Sequence, residues 1–583
     1  MNGSPAALYP LLRNGMRPYT REVAMLVGCQ LVQALAMLYL PTLTAGLVDN
    51  GILRGDTGYL LGHGGLMLAA TLVQVAATAA AVYLGARVAM RIGADLRAAL
   101  FARVQRFSVR EVHEFGAPSL LTRTTNDVQQ VQLLAFILLT LAVTAPFMAI
   151  GGLVLALGQD VPLSVVLLVA IPVAIGVIGL IINRMIGPAR AMQGRIDTVN
   201  GVLREQIMGI RVIRAFVRED HERERFGRVS ADLRGVAVRL GRYQAYFGAS
   251  ATLIATLASV AVLAIGGPRV AAGGLQVGSL IAFLNYLAQI LGAVLAAMSV
   301  FMFAPRARVS ASRIRAVLDT VPAIGEPETP AVLSGTGRVR VRGARFGYPG
   351  AEEPVLRGVD LRAEPGEVTA VVGSTGSGKT TLVNLIARLL ELDEGEVLLD
   401  GVDVRALDRA SIAAAIGLVP QRAYLFSGTV ARNLRFGAPG ASEDRLWHAL
   451  EIAQAAEFVR AMPDGLDTVL GQGGTTVSGG QRQRLAIARA LVANPRIYLF
   501  DDAFSALDGA TDAAVRAALA EELGDATQIV VAQRVSTIRS ADRIIVLDAG
   551  AVEAAGTHEE LLETSPTYTE IVRSQLGTEE VIR

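Results

Sequence analysis

Six apolar stretches, each long enough to cross a lipid bilayer, limit what this chain can fold into more than any other feature. They are Val23–Leu47, Leu60–Tyr83, Val131–Leu157, Pro162–Ile182, Phe247–Gly266 and Val277–Phe303. Roughly 20 helical residues cover the hydrocarbon of a bilayer. Lipid offers no partner to a free N–H or C=O, so each stretch must close its own backbone hydrogen bonds and is predicted to be a helix. The bulk composition agrees: 52% of residues are hydrophobic and 18% charged, with a mean hydropathy of +0.45. The first stretch starts too late and runs too long for a signal peptide, and no small-residue cleavage pattern ends it. It therefore reads as the first span. Cys29 is the single cysteine, so no intrachain disulfide can form, and it is expected to pack as a small hydrophobe.

The connections between spans differ sharply in charge. One long helical stretch carries Arg87, Arg91, Arg97, Arg103, Arg106, Arg110 and Arg123, and a second carries arginines from Arg184 to Arg242. The other three connections are short and hold little charge: Arg54, Asp160 and Arg269 respectively. Positive loops stay on the cytoplasmic side, so the arginine-rich stretches and both termini are expected inside a plasma (inner) membrane that the chain crosses several times. The length of these stretches predicts helices that project well beyond the bilayer and meet something there. A net charge of +2 carries no nucleic-acid footprint, and no nucleic acid is expected as a partner.

With 583 residues the chain is too long for one core. The expected division is a membrane domain over 1–305, a linker over 306–335 and a soluble domain over 336–583. A charged helix, Arg306–Asp319, and a proline-bearing segment, Val321–Val332, form the linker. Beyond it, short β-like runs (Val368–Val372, Ile497–Phe500, Gln528–Val531, Arg543–Leu547) alternate with helical patterns, which predicts an α/β domain with a largely parallel sheet.

The strongest chemical signal lies in that domain. Gly373, Ser374, Thr375, Gly376, Ser377, Gly378, Lys379, Thr380 and Thr381 match a phosphate-binding P-loop, after an apolar strand and before the helical run Leu382–Leu390. Glycines let backbone N–H groups curl around phosphate oxygens, and the helix N-terminus adds its positive end. Lys379 should reach the outer phosphates of ATP and Thr380 should ligate Mg²⁺. Lys379 is also the one lysine of the chain, in a protein that otherwise uses arginine. A compact ammonium fits a narrow phosphate cradle where a planar guanidinium does not. Further on, the apolar run from Ile497 delivers Asp501 beside the P-loop, where it is expected to hold Mg²⁺ through water.

Between these lie Val477, Ser478, Gly479, Gly480 and Gln481. This segment resembles the signature of the ATP-binding-cassette (ABC) proteins, with valine in place of the usual leucine. The resemblance covers essentially the whole chain and implies a six-helix exporter half fused to a cassette, that is, a membrane α-helical bundle plus an α/β P-loop domain. By resemblance, Tyr348 stacks on adenine, Gln421 senses the γ-phosphate and Mg²⁺, and Asp508 closes the D-loop Ser505–Asp508. Leu425–Thr429, Leu120–Asp127 and Glu205–Phe216 likewise match exporter segments.

The chain departs from the family pattern at two positions of the hydrolytic site. Asp502 stands where a glutamate normally orients the attacking water, and Gln533 where a histidine contacts the γ-phosphate. Asp502 carries the carboxylate one methylene closer to the backbone, and glutamine has no ionisable proton. None of His63, His113, His221, His448 and His558 replaces that histidine by position. Before the signature, Gly471–Gly474 also departs from the exporter pattern. In the family each nucleotide site takes its P-loop from one cassette and its signature from the other. The resemblance is therefore to the degenerate-site subunit of heterodimeric multidrug or lipid exporters. It implies a homologous half-transporter as partner, ATP held at a slow site, and this chain's signature lent to a competent one. Few charges in the spans suit a hydrophobic or amphipathic substrate and contact with membrane lipid. Gln30, Gln33, Gln74, Asn285, Tyr286 and Gln289 could face a cavity, although interhelical hydrogen bonding is the plainer expectation for each. Import on an exporter-like fold, and a regulatory ATP-binding subunit that moves nothing, are the alternative readings. A soluble ATPase, as in DNA repair cassettes, is excluded by the six spans.

Overall fold

The computed structural model describes residues 8–575 and divides the chain into two compact units. The first comprises Met1–Gln105 and Pro118–Thr320, the second Arg106–Ala117 and Val321–Arg583.

Among the described residues of the first unit, six helical segments are long and apolar enough to cross a membrane. Four are single helices of 43 to 53 residues: Thr57–Val104, Val161–Met208, Glu219–Ala271 and Val277–Asp319. At 1.5 Å per residue the 48-residue helices reach roughly 70 Å, more than twice a bilayer's hydrocarbon thickness. The charged stretch Arg306–Asp319 is continuous with the sixth span, running on through Pro305. The third span is less regular, with a wide π-type turn at Leu138–Ala142 between Val128–Ile137 and Thr144–Gln159.

Large aliphatic side chains such as Leu61, Leu72 and Leu168 point outward, as lipid permits, while Leu38, Leu163, Leu167, Phe283, Leu287 and Ile290 pack inside. The polar side chains are mostly spent on holding helices. Gln30 donates to Leu139 O at 2.6 Å and the Tyr286 hydroxyl meets Thr42 Oγ1 at 2.6 Å. Gln289 donates to Met37 O at 3.4 Å, and Asn285 to Ile281 O of its own helix. Two carboxylates fix helix starts. Asp49 accepts the Gly278 N–H at 2.7 Å, where a Cβ on Gly278 would run into Ala45 O. Asp160 caps Val161–Met208 through Leu163 N and pairs with Arg269 at 2.8 Å.

The second unit is built on a sheet whose strands, in spatial order, are Ala551–Gly556, Arg543–Asp548, Val368–Gly373, Thr527–Val531, Ile497–Asp501 and Ile416–Val419. All neighbours are parallel except the antiparallel edge pair at Arg543–Asp548 and Ala551–Gly556. Alternation along each strand feeds two cores. Ala370, Val372, Tyr498 and Phe500 face one, and Val371, Leu499, Ile529 and Ile545 the other. An antiparallel sheet, ordered Leu356–Ala363, Val339–Phe346, Glu394–Leu399 and Val402–Asp403, contributes to the second core.

The short helix Val109–Phe115 also belongs to this unit, and Val109 packs on the second core. Glu111 ties the helix down. Its carboxylate accepts from Ser108 N at 2.6 Å, closing a capping box, and from Ala323 N at 3.0 Å.

Candidate nucleotide site

In an open parallel sheet the carboxyl ends of the strands form the natural ligand crevice. Here strands Val368–Gly373, Thr527–Val531 and Ile497–Asp501 end at one cleft of about 350 Å³. Its lining includes Tyr348, Thr375, Gly376, Gly378, Lys379, Thr380, Thr381, Gln421, Asp501, Asp502 and Gln533.

The loop after the first strand turns into a helix that begins at Lys379 and ends at Ile386, short of the expected Leu390 because Arg388 adopts a left-handed backbone. Gly378 has φ +99, and a Cβ there would lie 2.5 Å from Leu356 Cδ2, so both conformation and space demand glycine. Lys379 is buried and folds over the loop, donating to Ser374 O at 2.7 Å and Gly373 O at 2.9 Å. Burial pushes its pKa below the ordinary lysine value, opposed by the charges of Asp502 and Asp501. Ser377 stands 3.4 Å from the ammonium.

Asp501 ends its strand fully inside the unit, and Thr380 Oγ1 donates to its Oδ1 at 2.9 Å. Burial raises the Asp501 carboxyl above its usual range; the Thr380 bond lowers it, Asp502 raises it further and Lys379 lowers it. Asp502 sits at φ +49, a conformation that costs a non-glycine residue energy, although aspartate tolerates it better than most. Its N–H is held by Val531 O at 2.9 Å, and its Oδ2 accepts from the Gln421 amide at 3.3 Å. Tyr348 stands edge-on to Phe346 at 5.0 Å, half-exposed at the mouth, with its hydroxyl 3.2 Å from Thr381 Oγ1.

The remaining expected residues lie elsewhere. Ser478, Gly479, Gly480, Gln481 and Asp508 do not line this cleft. Ser478 caps the helix Gly479–Ala493 in a reciprocal box with Gln481, at 3.2 and 2.9 Å. The first turn of this 15-residue helix, exposed at Gly479 and half-buried from Gly480 to Arg482, is free of acidic residues and positive by its dipole. Asp508 caps the next helix, Gly509–Glu522, through Thr511 N at 2.9 Å. The unusual Gly471–Gly474 segment carries φ +70 at both Gly473 and Gly474, whose carbonyls accept from Arg482.

The family profile described as the ABC transporter transmembrane region matches residues 23–294, and that described as ABC transporter matches residues 356–505. An uncharacterized ABC transporter ATP-binding protein of Mycobacterium tuberculosis is 50% identical over 573 residues, 97% of this chain and 98% of that protein. The chain belongs to the ABC transporter family. An ATP-dependent lipid A-core flippase of Chromobacterium violaceum is 33% identical over 571 residues, 96% of this chain and 97% of the flippase. A solved structure of a bacterial Atm1-family ABC exporter with ATP bound superposes with a TM-score of 0.82 at 25% identity, covering 96% of this chain and 99% of that one. As an ABC transporter with this exporter fold, the chain is a multi-pass membrane protein whose ATP-binding domain implies ATPase activity coupled to transport.

The residues of this ABC transporter cleft fit a magnesium nucleotide. Thr380, Asp501 and Gln421 offer oxygen donors, the set a hard cation takes, and the first two already stand 2.9 Å apart. Sequence reasoning missed Val355 and Val531 in the lining, single apolar residues with no pattern to mark them. It also missed Arg534, which donates to Ser505 O at 3.0 Å and Leu507 O at 3.1 Å and so ties the D-loop to the segment bearing Gln533. Its place directly after Gln533 was the available signal.

Proposed function

We propose that this chain is one half of a heterodimeric, ATP-driven exporter of amphipathic or lipid-like molecules, and that its own cleft holds ATP and turns it over slowly. The observation that carries the reading is that Asp502 and Gln533 line the same cleft as the P-loop, while the intact signature lies outside it on an ordered helix end. In this reading Lys379 and the loop N–H groups bind the phosphates, Tyr348 takes the adenine, and Asp502 and Gln533 face the γ-phosphate end. A carboxylate withdrawn by about a methylene orients water poorly, and a misplacement near 1 Å costs on the order of 100-fold. Mg²⁺ held by Thr380, Asp501 and Gln421 would neutralise charge on the phosphate oxygens. Ser478–Gln481, whose capping box leaves the Gly479 and Gly480 N–H groups at the helix start, would complete the site of a partner that supplies its own glutamate and histidine.

Two exposed apolar surfaces favour such a partner. In the first unit Ile210, Val212 and Phe216, on and beside the short helix Ile210–Ala215, are exposed. In the second, Tyr424, Phe426 and Phe436 form an exposed aromatic cluster with ring centroids 5.3 and 4.7 Å apart. Surfaces of this kind mark interaction sites. The lipid reading draws on the flippase relative and on spans poor in charge. The arginine-rich extensions support an orientation with cassette and termini cytoplasmic, as expected of a plasma (inner) membrane protein.

The deciding experiment is Gly479→Asp in the co-expressed pair. A Cβ at Gly479 meets nothing within 4 Å, and an acid suits a helix N-terminus, so the fold should persist while phosphate is repelled. ATPase of the pair is expected to fall at least ~100-fold. Robust ATPase from the purified single chain would sink the heterodimer reading, and unchanged ATPase of the Gly479→Asp pair would sink the role given to the signature.

A further inference from the structure

The segment that carries Gln533 into the cleft is gripped from two sides. On one side Arg534 reaches the D-loop carbonyls of Ser505 and Leu507. On the other, the side-chain amide of Gln575, at the end of the C-terminal helix Pro566–Gln575, uses both its ends at once. Its oxygen accepts the Val535 N–H at 2.9 Å and its nitrogen donates to Gln533 O. The amide therefore brackets Arg534 and fixes the backbone on both sides of it. The helix that presents Gln575 is itself anchored: Tyr568 and Val572 are buried in the core that also holds Val535 and Ile538. The grip extends further. The D-loop residue Ala506 presents its carbonyl 3.2 Å from where a Cβ on Gly480 would stand, so the D-loop held by Arg534 also abuts the signature helix.

We propose that Gln575 is the positioning residue for Gln533, so that the C-terminal helix sets how the cleft reads the γ-phosphate end of a nucleoside triphosphate. Gln575 touches no nucleotide; it acts through the backbone of residues 533–535. The inference rests on the reading that Gln533 faces the γ-phosphate. A carbonyl and an N–H two residues apart define the local backbone direction, and a side-chain amide, with its acceptor and donor on neighbouring atoms, satisfies both together. Releasing them lets Gln533 swing while leaving P-loop, adenine and Mg²⁺ contacts in place. The signature of lost positioning is thus a selective loss of triphosphate affinity, which a general loss of stability would not produce.

The test is the binding of ATP and of ADP, each with Mg²⁺, to the purified full chain in nanodiscs, for wild type, Gln533→Ala, Gln575→Ala, Gln575→Glu and the double alanine variant. Gln575→Ala is expected to weaken ATP binding about 10-fold and to leave ADP binding within about 2-fold. Gln575→Glu keeps the acceptor for Val535 N–H but sets a carboxylate against Gln533 O, so it should behave like the alanine variant. The double variant should be no weaker than Gln533→Ala alone, because both remove the same contact. If Gln533→Ala discriminates against ATP while Gln575→Ala and Gln575→Glu weaken ATP and ADP alike or not at all, the positioning role is overturned and the reading of Gln533 stands. If Gln533→Ala shows no selectivity, the reading of Gln533 fails and the positioning role falls with it.

Discussion

Two carboxylates in the second unit, Asp501 in the phosphate cleft and Glu111 on the short helix Val109–Phe115, are both closed off from solvent, Asp501 the more deeply, and their acidities move in opposite directions. At both, burial is the largest influence and favours the neutral form. At Glu111 it is overcome by donors from Ser108 and Ala323 that address both oxygens, so the carboxyl lies below its usual range. At Asp501 one hydroxyl donor, Thr380, is not enough, and Asp502 beside it adds like charge. The difference separates two uses of a buried acid. Glu111 spends its lone pairs on holding the linker at Ala323, whereas Asp501 keeps capacity for a cation.

The largest effect expected from this contrast is at Asp501. Asp501→Asn removes the charge that would hold Mg²⁺, and Mg²⁺-dependent ATP binding should fall by at least ~100-fold. Stability at pH 7 should not fall. A raised carboxyl stabilises the fold below its unfolded value and loses that contribution as pH rises through the folded value, so at pH 7 the ionised form carries only the penalty. Thermal unfolding read beside nucleotide binding checks both halves; a variant that unfolds early would place Asp501 with Glu111.

Asp502→Glu comes next. Restoring the methylene should raise the ATPase of the chain by up to ~100-fold, measured as phosphate release. An unchanged rate would locate the defect at Gln533 instead.

Glu111→Gln should do the reverse of Asp501→Asn. An amide N–H₂ facing a backbone N–H leaves a buried donor unmet, at about 1–3 kcal/mol. ATP affinity of the variant should match wild type, and a loss of affinity would break the contrast. The smallest effect is the pH dependence of that cost. Because the folded Glu111 value lies below the ordinary 4.5, its contribution is complete above 4.5 and is lost as pH falls through the folded value. The difference in Tm between wild type and Glu111→Gln should therefore be flat from neutral pH to about 5 and close on further acidification.

The spans and the P-loop were legible in the residues because each rests on local pattern, whereas Asp502 and Gln533 stood out only against the pattern of the family the chain resembles. Apolar runs of membrane length permit little but helices, and a phosphate cradle needs glycine, lysine and threonine in a fixed order. The strands at Val368, Ile497, Thr527 and Arg543 came close to their true bounds for the same reason, being short apolar runs buried on both faces. Four of the six polar residues weighed as cavity candidates bond to helix backbone or to a neighbouring hydroxyl, the plainer of the two expectations. Side-chain direction inside a bundle depends on how helices pack, which single-residue polarity does not encode.

What the residues alone determined is the chemistry available: a membrane-crossing half and a cassette that carries a phosphate loop. What the tertiary structure decided is which distant residues share a site. The parallel sheet brings Gln421, Asp501 and Gln533 to the P-loop from separate strands. It sets Ser478–Gln481 on a helix end outside that cleft, and it delivers Gln575 to the backbone of Gln533 across 42 residues of sequence. Such contacts arise because strand order and helix packing fold remote segments together, and no local pattern marks a residue whose only role is to hold another's backbone.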